Sequence, residues 1–99
     1  MLSESPGYGL HVLCYDIAND KRRRRVVREV EAYGLRVQES VFECWIDHRQ
    51  AQELLAALKK IIRPSEDSIA LYNASAGEEE PMIAGGGNGL SEDRSNWLV

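Results

Sequence analysis

Asp16 closes an apolar run, Leu10-His11-Val12-Leu13-Cys14-Tyr15, and shortly after it Lys21 and four consecutive arginines, Arg22 to Arg25, open a second segment that also carries Arg28. A carboxylate oxygen is the ligand type that Mg²⁺ or Mn²⁺ accepts, and Mg²⁺ commonly takes one or two carboxylates and completes its shell with water. A guanidinium is the side chain that grips phosphate in a bidentate fork. Together they are what metal-assisted attack on a phosphodiester needs. Each also has a plainer account. Asp16 can simply cap or turn a strand end, and a row of arginines is commonly a solvated helix face. One Asp is too few for a metal cage, and the sequence places no evident general base beside it. For the arginines, position argues against the plainer account. Five positive charges at a helix N-terminus oppose the macrodipole, where acids are favoured. Stability does not ask for them there, but an anionic partner would.

The elements that must position these residues follow from periodicity. Leu10 to Asp16 reads as a buried strand, and Val26, Val27, Val30 and Tyr33 mark the inner face of a helix over Lys21 to Tyr33. Asn19 or Asp20 is its natural N-cap, and Gly34 the expected C′ residue. Leu35 to Gln38 and Val41 to Ile46 read as two strands joined by a tight turn at Glu39-Ser40. Asp47 can cap a second helix whose apolar stripe is Ala51, Leu54, Leu55, Leu58, Ile61 and Ile62, stopped by Pro64. Ser65-Glu66-Asp67 turns the chain into a fourth strand, Ser68 to Tyr72. The order β-α-β-β-α-β is the ferredoxin-like pattern of the α+β class, a four-stranded antiparallel sheet with helices on one face. Residues 1–7 then form a flexible leader, 8–73 the domain, and 74–99 a C-terminal tail. Within the tail, Pro81 to Ala84 suits a short edge strand, Gly85 to Gly89 a hinge, and Trp97-Leu98-Val99 an apolar end that docks on another surface. Because an unpaired edge accepts an added strand, Met82 to Ala84 is expected to pair with the sheet of a second copy.

In the first and third strands both faces are apolar. Leu10, Val12 and Cys14 oppose Leu13 and Tyr15, while Phe42, Cys44 and Ile46 oppose Val41, Glu43 and Trp45. A sheet face turned to water should be polar. The face away from the helices therefore meets another surface, most simply a second copy.

The net charge of −4 argues at first against nucleic acid, but eleven basic and nine acidic side chains precede Pro64, and one basic and seven acidic follow. Local field steers an anion more than the total does, so an acidic tail does not veto a basic site. The two cysteines, Cys14 and Cys44, form neither a CxxC pair nor a disulfide framework and read as reduced core thiols. No apolar run reaches the ~18 residues of a membrane span, and the leader lacks the regions of a signal peptide, so a soluble, cytoplasmic protein with no membrane partner is expected.

Tyr15-Asp16-Ile17 at the end of the first strand, Asp20-Lys21-Arg22-Arg23 opening the helix, and Tyr33-Gly34-Leu35-Arg36-Val37-Gln38 followed by Ser40-Val41-Phe42-Glu43 together resemble the CRISPR-associated protein 2 family. The likeness covers roughly Leu10 to Tyr72, and the Gly-rich, Glu-rich tail departs from it. It implies a prokaryotic, ferredoxin-like homodimer with the sheets face to face, in which the aspartates ending the first strands meet near the two-fold axis around Mg²⁺ or Mn²⁺. It also implies metal-dependent endonuclease activity on RNA or DNA, and a place as the central dimer of the integrase complex that captures new spacers. By position, the family's functional residues fall on Tyr15, Asp16, Arg23, Arg25, Arg36 and Phe42. Asp16 and Tyr15 are then the catalytic candidates, with Asp16 the metal ligand. Arg22, Arg23, Arg25, Arg36 and Phe42 are the nucleic-acid contacts, on duplex DNA or single-stranded RNA.

The same residues allow ordinary readings. Tyr15 and Phe42 can be core or interface aromatics, and Arg36 can pair with Glu29 or Glu31 instead of phosphate. Arg22 with Arg25, and Arg24 with Arg28, lie in separate helical rows, so not all of them reach one backbone. His11 and His48 lack partners at metal spacing and read as structural; Glu78 to Glu80 reads as a solvated run. Gly85 to Gly89 lacks the Lys-Ser/Thr of a phosphate loop, so no nucleotide cofactor is assigned. The alternative to a nuclease is a non-catalytic scaffold that holds DNA and the integrase, with Asp16 structural.

Overall fold

Strand β1 (Gly9–Asp16) occupies the middle of the sheet, where a strand apolar on both faces belongs. The computed structural model describes residues 6–77 and 80–86. The chain continues through α1 (Asp20–Glu31), β2 (Leu35–Gln38), β3 (Val41–Ile46), α2 (His48–Lys59), β4 (Ser68–Asn73) and β5 (Met82–Gly85). The strands pair antiparallel in the order β2-β3-β1-β4-β5. This is the α+β arrangement expected, with the fifth strand at an edge. No helix among the described residues is long and apolar enough to cross a membrane.

Alternation sorts the strands into two faces. On one, Leu13, Tyr15, Phe42, Cys44, Ile46, Ile69 and Leu71 pack under Val26 and Val30 of α1 and Ala51, Leu54 and Leu58 of α2. Each such side chain contributes roughly 1.5–3 kcal/mol on full burial. On the other face Val12, Cys14, Val41, Ala70 and Tyr72 form a second, smaller cluster. Both cysteines are free and buried, one in each cluster. Trp45, Leu35 and Tyr8 stay 59%, 77% and 51% exposed. Trp45 and Leu35 stand on the helix-free side, and the Tyr8 and Trp45 rings lie 6.3 Å apart.

Local chemistry sets the helix ends. Asn19 caps α1 by accepting from the Arg22 backbone N–H at 2.9 Å, which leaves Asp20 as the first helical residue. Gly34 is not the left-handed cap expected of it. The positive-φ residues described are Gly7, Gly77 and Gly85, and α1 ends instead through Tyr33 and Gly34 N–H groups donating to the Val30 carbonyl. Gly34 is required by crowding, since a Cβ there would lie 2.3 Å from the Glu43 carbonyl oxygen of β3. In α2, Asp47 and Gln50 form a reciprocal capping box.

In the tail, β5 pairs with β4 of its own chain, Ile69 facing Ala84 and Leu71 facing Met82, and stands at the edge of the sheet. The end of the leader is docked as well, because Pro6 accepts from the His48 N–H at 3.0 Å. Trp97 to Val99, Gly87 to Gly89, and Glu78 and Glu79 lie outside the described residues.

One carboxylate ties these pieces together. Asp67, fully buried just ahead of β4, accepts from the Ala18 N–H at 3.0 Å, the Arg63 N–H at 2.8 Å and the Arg22 guanidinium at 2.7 and 3.1 Å. Its backbone carbonyl accepts from Gly86 at 3.2 Å, and Gly85, at φ +75°, passes so close that a Cβ would lie 2.1 Å from that oxygen. Burial alone would raise the Asp67 pKa. The hydrogen bonds from Arg22, Arg63 and Ala18 outweigh it and hold the pKa below the ordinary 3.8. A carboxyl held low in the folded state stabilises the fold above its unfolded pKa, and that contribution disappears as pH falls through the folded one. Asp67→Ala should therefore lower unfolding stability at neutral pH by ~3 kcal/mol or more, since it leaves Arg22 without its buried partner. In Asp67→Asn the loss of stability on acidification below ordinary carboxylate pKa values should shrink relative to the parent. Urea titrations across pH check both, and an unchanged midpoint in Asp67→Ala would count against the clamp.

Candidate nucleic-acid interface and metal site

Asp16 ends β1 opposite Ser68 of β4, exposed and on the sheet face away from the helices. The residues that follow it turn sharply to start α1, and the Asp67 carboxylate fixes that turn at Ala18. The position of Asp16 relative to α1 is thus set by a side chain some fifty residues downstream. Among the described residues no group of three His, Cys, Asp or Glu comes together to hold a metal ion. What one chain presents is a single hard oxygen ligand on an outward face. That donor fits a divalent ion shared with a second copy, not a cage built by one chain.

Tyr15, Phe42 and Arg36 come together. The Tyr15 and Phe42 rings are 6.3 Å apart, and the Arg36 guanidinium lies 5.6 Å over the Phe42 ring and 3.4 Å from the Tyr15 hydroxyl oxygen. The Tyr15 hydroxyl donates to the Glu39 carbonyl at 2.8 Å, and the Tyr15 backbone N–H donates to Ser40 at 3.2 Å. Tyr15 is therefore engaged in holding the β2–β3 turn against the end of β1. Arg36 makes no ion pair with Glu29 or Glu31; its charge rests on an aromatic face at the sheet edge.

The α1 cations separate into groups. Arg22 forms a fork with Asp67 and reaches Glu66 at 2.9 Å, with only 16% of its side chain exposed. Its pKa is raised, first by the Asp67 hydrogen bond, and Glu66 is held low, first by the hydrogen bond from Arg22. The nucleic-acid contact expected of Arg22 thus falls on a side chain already matched by two acids. Arg23 pairs with exposed Asp20 one turn back. Arg24, Arg25 and Arg28 are exposed and carry no ion pair among the described residues. An open groove of about 360 Å³ runs beside the helix, lined by Arg23, Arg24, Arg28 and Arg36 together with Val27 and the acids Asp20 and Glu31. Arg25 lies outside it, in keeping with the two-row geometry.

Sequence reasoning missed Asp67 and Glu66 as partners of Arg22, whereas the Arg24–Arg28 row it read on the helix lines the groove. The signal for Asp67 was an acid directly ahead of the apolar Ser68-Ile69-Ala70-Leu71 run, where a solvated turn would not need one. For Arg24 and Arg28 the signal was their spacing of four, which puts both on one face.

The sequence profile described as "CRISPR associated protein Cas2" matches residues 10–82. "CRISPR-associated endoribonuclease Cas2 3" of Chloroflexus aurantiacus is 36% identical over 88 residues, 89% of this chain and 95% of that protein. A protein of the same description from Synechocystis is 44% identical over 67% of this chain and 72% of its own. Among solved structures, Streptococcus pyogenes Cas2 superposes with a TM-score of 0.61 at 31% identity, covering 72% of this chain and 96% of that one. The hypothetical protein TT1823 from Thermus thermophilus gives a TM-score of 0.64 at 34% identity, over 66% of this chain and 79% of its own. With the profile matched over most of the chain and relatives of more than 30% identity, this chain belongs to the CRISPR associated protein Cas2 family.

Proposed function

We propose that two copies of this chain pack through their helix-free sheet faces and bind a nucleic-acid backbone along α1, with the two Asp16 carboxylates sharing a divalent ion that serves phosphodiester cleavage. The observation that carries this reading is the uncompensated charge on α1. Arg22 and Arg23 are matched by acids, whereas Arg24, Arg25 and Arg28 are exposed and carry no ion pair among the described residues, which leaves their guanidinium groups open to phosphate. Exposed Leu35 and Trp45 support the pairing of sheets, because apolar side chains of that size on one face mark an interface. The relatives' names, endoribonuclease and, for a Thermus thermophilus protein, endonuclease, support cleavage of RNA or DNA.

In this reading Asp16 of each copy holds Mg²⁺ or Mn²⁺, which when bound supplies Lewis acidity toward the scissile phosphate. The α1 arginines and Arg36 hold the backbone across the groove and balance its charge. Asp67 keeps Asp16 and the helix start in fixed register. Within a CRISPR system such a dimer serves as the central piece between integrase subunits during spacer capture, with duplex DNA on its basic surface. A specific observation favours a second reading, a scaffold without catalysis. Tyr15 is committed to the β2–β3 turn, and among the described residues no set of three ligating side chains gathers around the strand end.

Asp16→Asn should abolish divalent-dependent cleavage of RNA and DNA probes while leaving assembly and DNA affinity intact, measured with and without EDTA. Full cleavage by the variant would remove the metal role, and absence of cleavage in both proteins on every probe would favour the scaffold. Arg24→Ala and Arg28→Ala should each lower duplex affinity and flatten the slope of log K against log salt by about 0.9 for each phosphate no longer neutralised. Arg22→Ala should mainly lower the unfolding midpoint. A salt slope unchanged in both groove variants would place the binding surface elsewhere.

A further inference from the structure

At the opposite end of β1 from Asp16, a cavity of about 350 Å³ opens between the start of α2 and the helix-side face of the sheet. Leu71, Met82, His11, His48, Asn73 and Glu80 are among the residues that line it. His11 and Asn73 are direct cross-strand partners of β1 and β4, so their side chains stand beside each other, with Cβ atoms about 5 Å apart. Backbone partners define the polarity of both. The His11 ring is 2% exposed and its Nδ1 lies 3.2 Å from the Gly9 carbonyl oxygen, which can only accept. Nδ1 therefore carries the proton, and in the neutral ring Nε2 is a lone-pair acceptor. That Nε2 makes no hydrogen bond among the described residues, and His11 lines the cavity. Asn73 Oδ1 accepts from the Ala76 N–H at 3.1 Å, which fixes its amide the other way and leaves the NH₂ as a donor without a described partner.

The cavity lining thus sets one acceptor and one donor side by side, next to the apolar side chains of Leu71 and Met82. A metal ion does not suit it, because no described group of three ligating side chains converges there. An anion does not suit it, because Glu80 lines it and no Lys or Arg does. The volume is at the low end of small-molecule sites, about 300–1,000 Å³. A ligand that answers this pattern is a flat heterocycle with an N–H next to an acceptor on one edge, which is the edge every nucleobase offers. We propose that the His11–Asn73 cavity is a nucleobase-binding site, separate from the arginine groove and independent of the backbone-binding reading above.

The test uses the full chain, titrated with the four nucleosides, with ribose 5-phosphate, and with a single-stranded trinucleotide, followed by NMR of the His11 ring and the Asn73 side-chain amide. At least one nucleoside should shift both signals saturably, and ribose 5-phosphate should not. Tighter binding of the trinucleotide than of its free nucleosides would identify a base at a strand end as the source, and equal binding a free nucleoside. Asn73→Asp keeps the Oδ1 acceptor for Ala76 and removes the donor. It should weaken nucleoside binding about tenfold while leaving duplex affinity at the arginines unchanged. No saturable shift with any nucleoside would overturn the proposal, as would equal affinity in Asn73→Asp or the same shifts with ribose 5-phosphate.

Discussion

The pairing of Asp67 with Arg22 is the constraint on which the rest of the domain turns. A carboxylate with no exposed surface is costly unless every lone-pair direction is answered. Here the answers come from three separate segments, the turn after β1, the first turn of α1 and the approach to β4, with β5 held against the same residue's carbonyl. The cost of burying the charge is offset only when all of these stand in their native positions. The arrangement therefore makes the end of β1 cooperative with elements far along the chain. It also resolves the strain of a cation at a helix N-terminus, since Arg22 is turned away from the helix dipole toward an acid.

That division clarifies the electrostatics of a basic site on an acidic chain. Two of the seven acids after Pro64, Glu66 and Asp67, are engaged with Arg22. They position the basic helix rather than repel its ligand. Asp20 matches Arg23 from an exposed position on the same helix. The guanidinium groups left over lie in the groove row or just outside it, where screening and competition by phosphate decide occupancy.

Much of this was legible in the residues. β1 and β3 were readable because both faces alternate among apolar side chains, and α2 because Asp47, the leucine stripe and Pro64 agree on its bounds. That Tyr15, Arg36 and Phe42 meet was not read from the sequence, because the β1–β3 register that joins them is set by long-range pairing. What stayed hidden were contacts between residues far apart in the chain. Asp67 looked like a turn residue because two of its partners, Arg22 and Ala18, lie some forty-five to fifty positions away. Gly34 looked like a helix stop because its true reason, the passing Glu43 carbonyl, belongs to a later strand. The pairing of β5 with β4 of its own chain stayed hidden because its fit depends on Gly85 clearing the Asp67 oxygen, which no local pattern reveals.

The two cysteines carry a consequence of their own. Cys14 and Cys44 are buried in opposite sheet faces, and burial pushes both thiols up to about 11. Near neutral pH neither forms appreciable thiolate, so alkylation has to wait until its face opens. Cys44 answers for the helix-covered layer and Cys14 for the other. The protein thereby carries two native clocks, and the ratio of their labelling rates tells which layer parts from the sheet first.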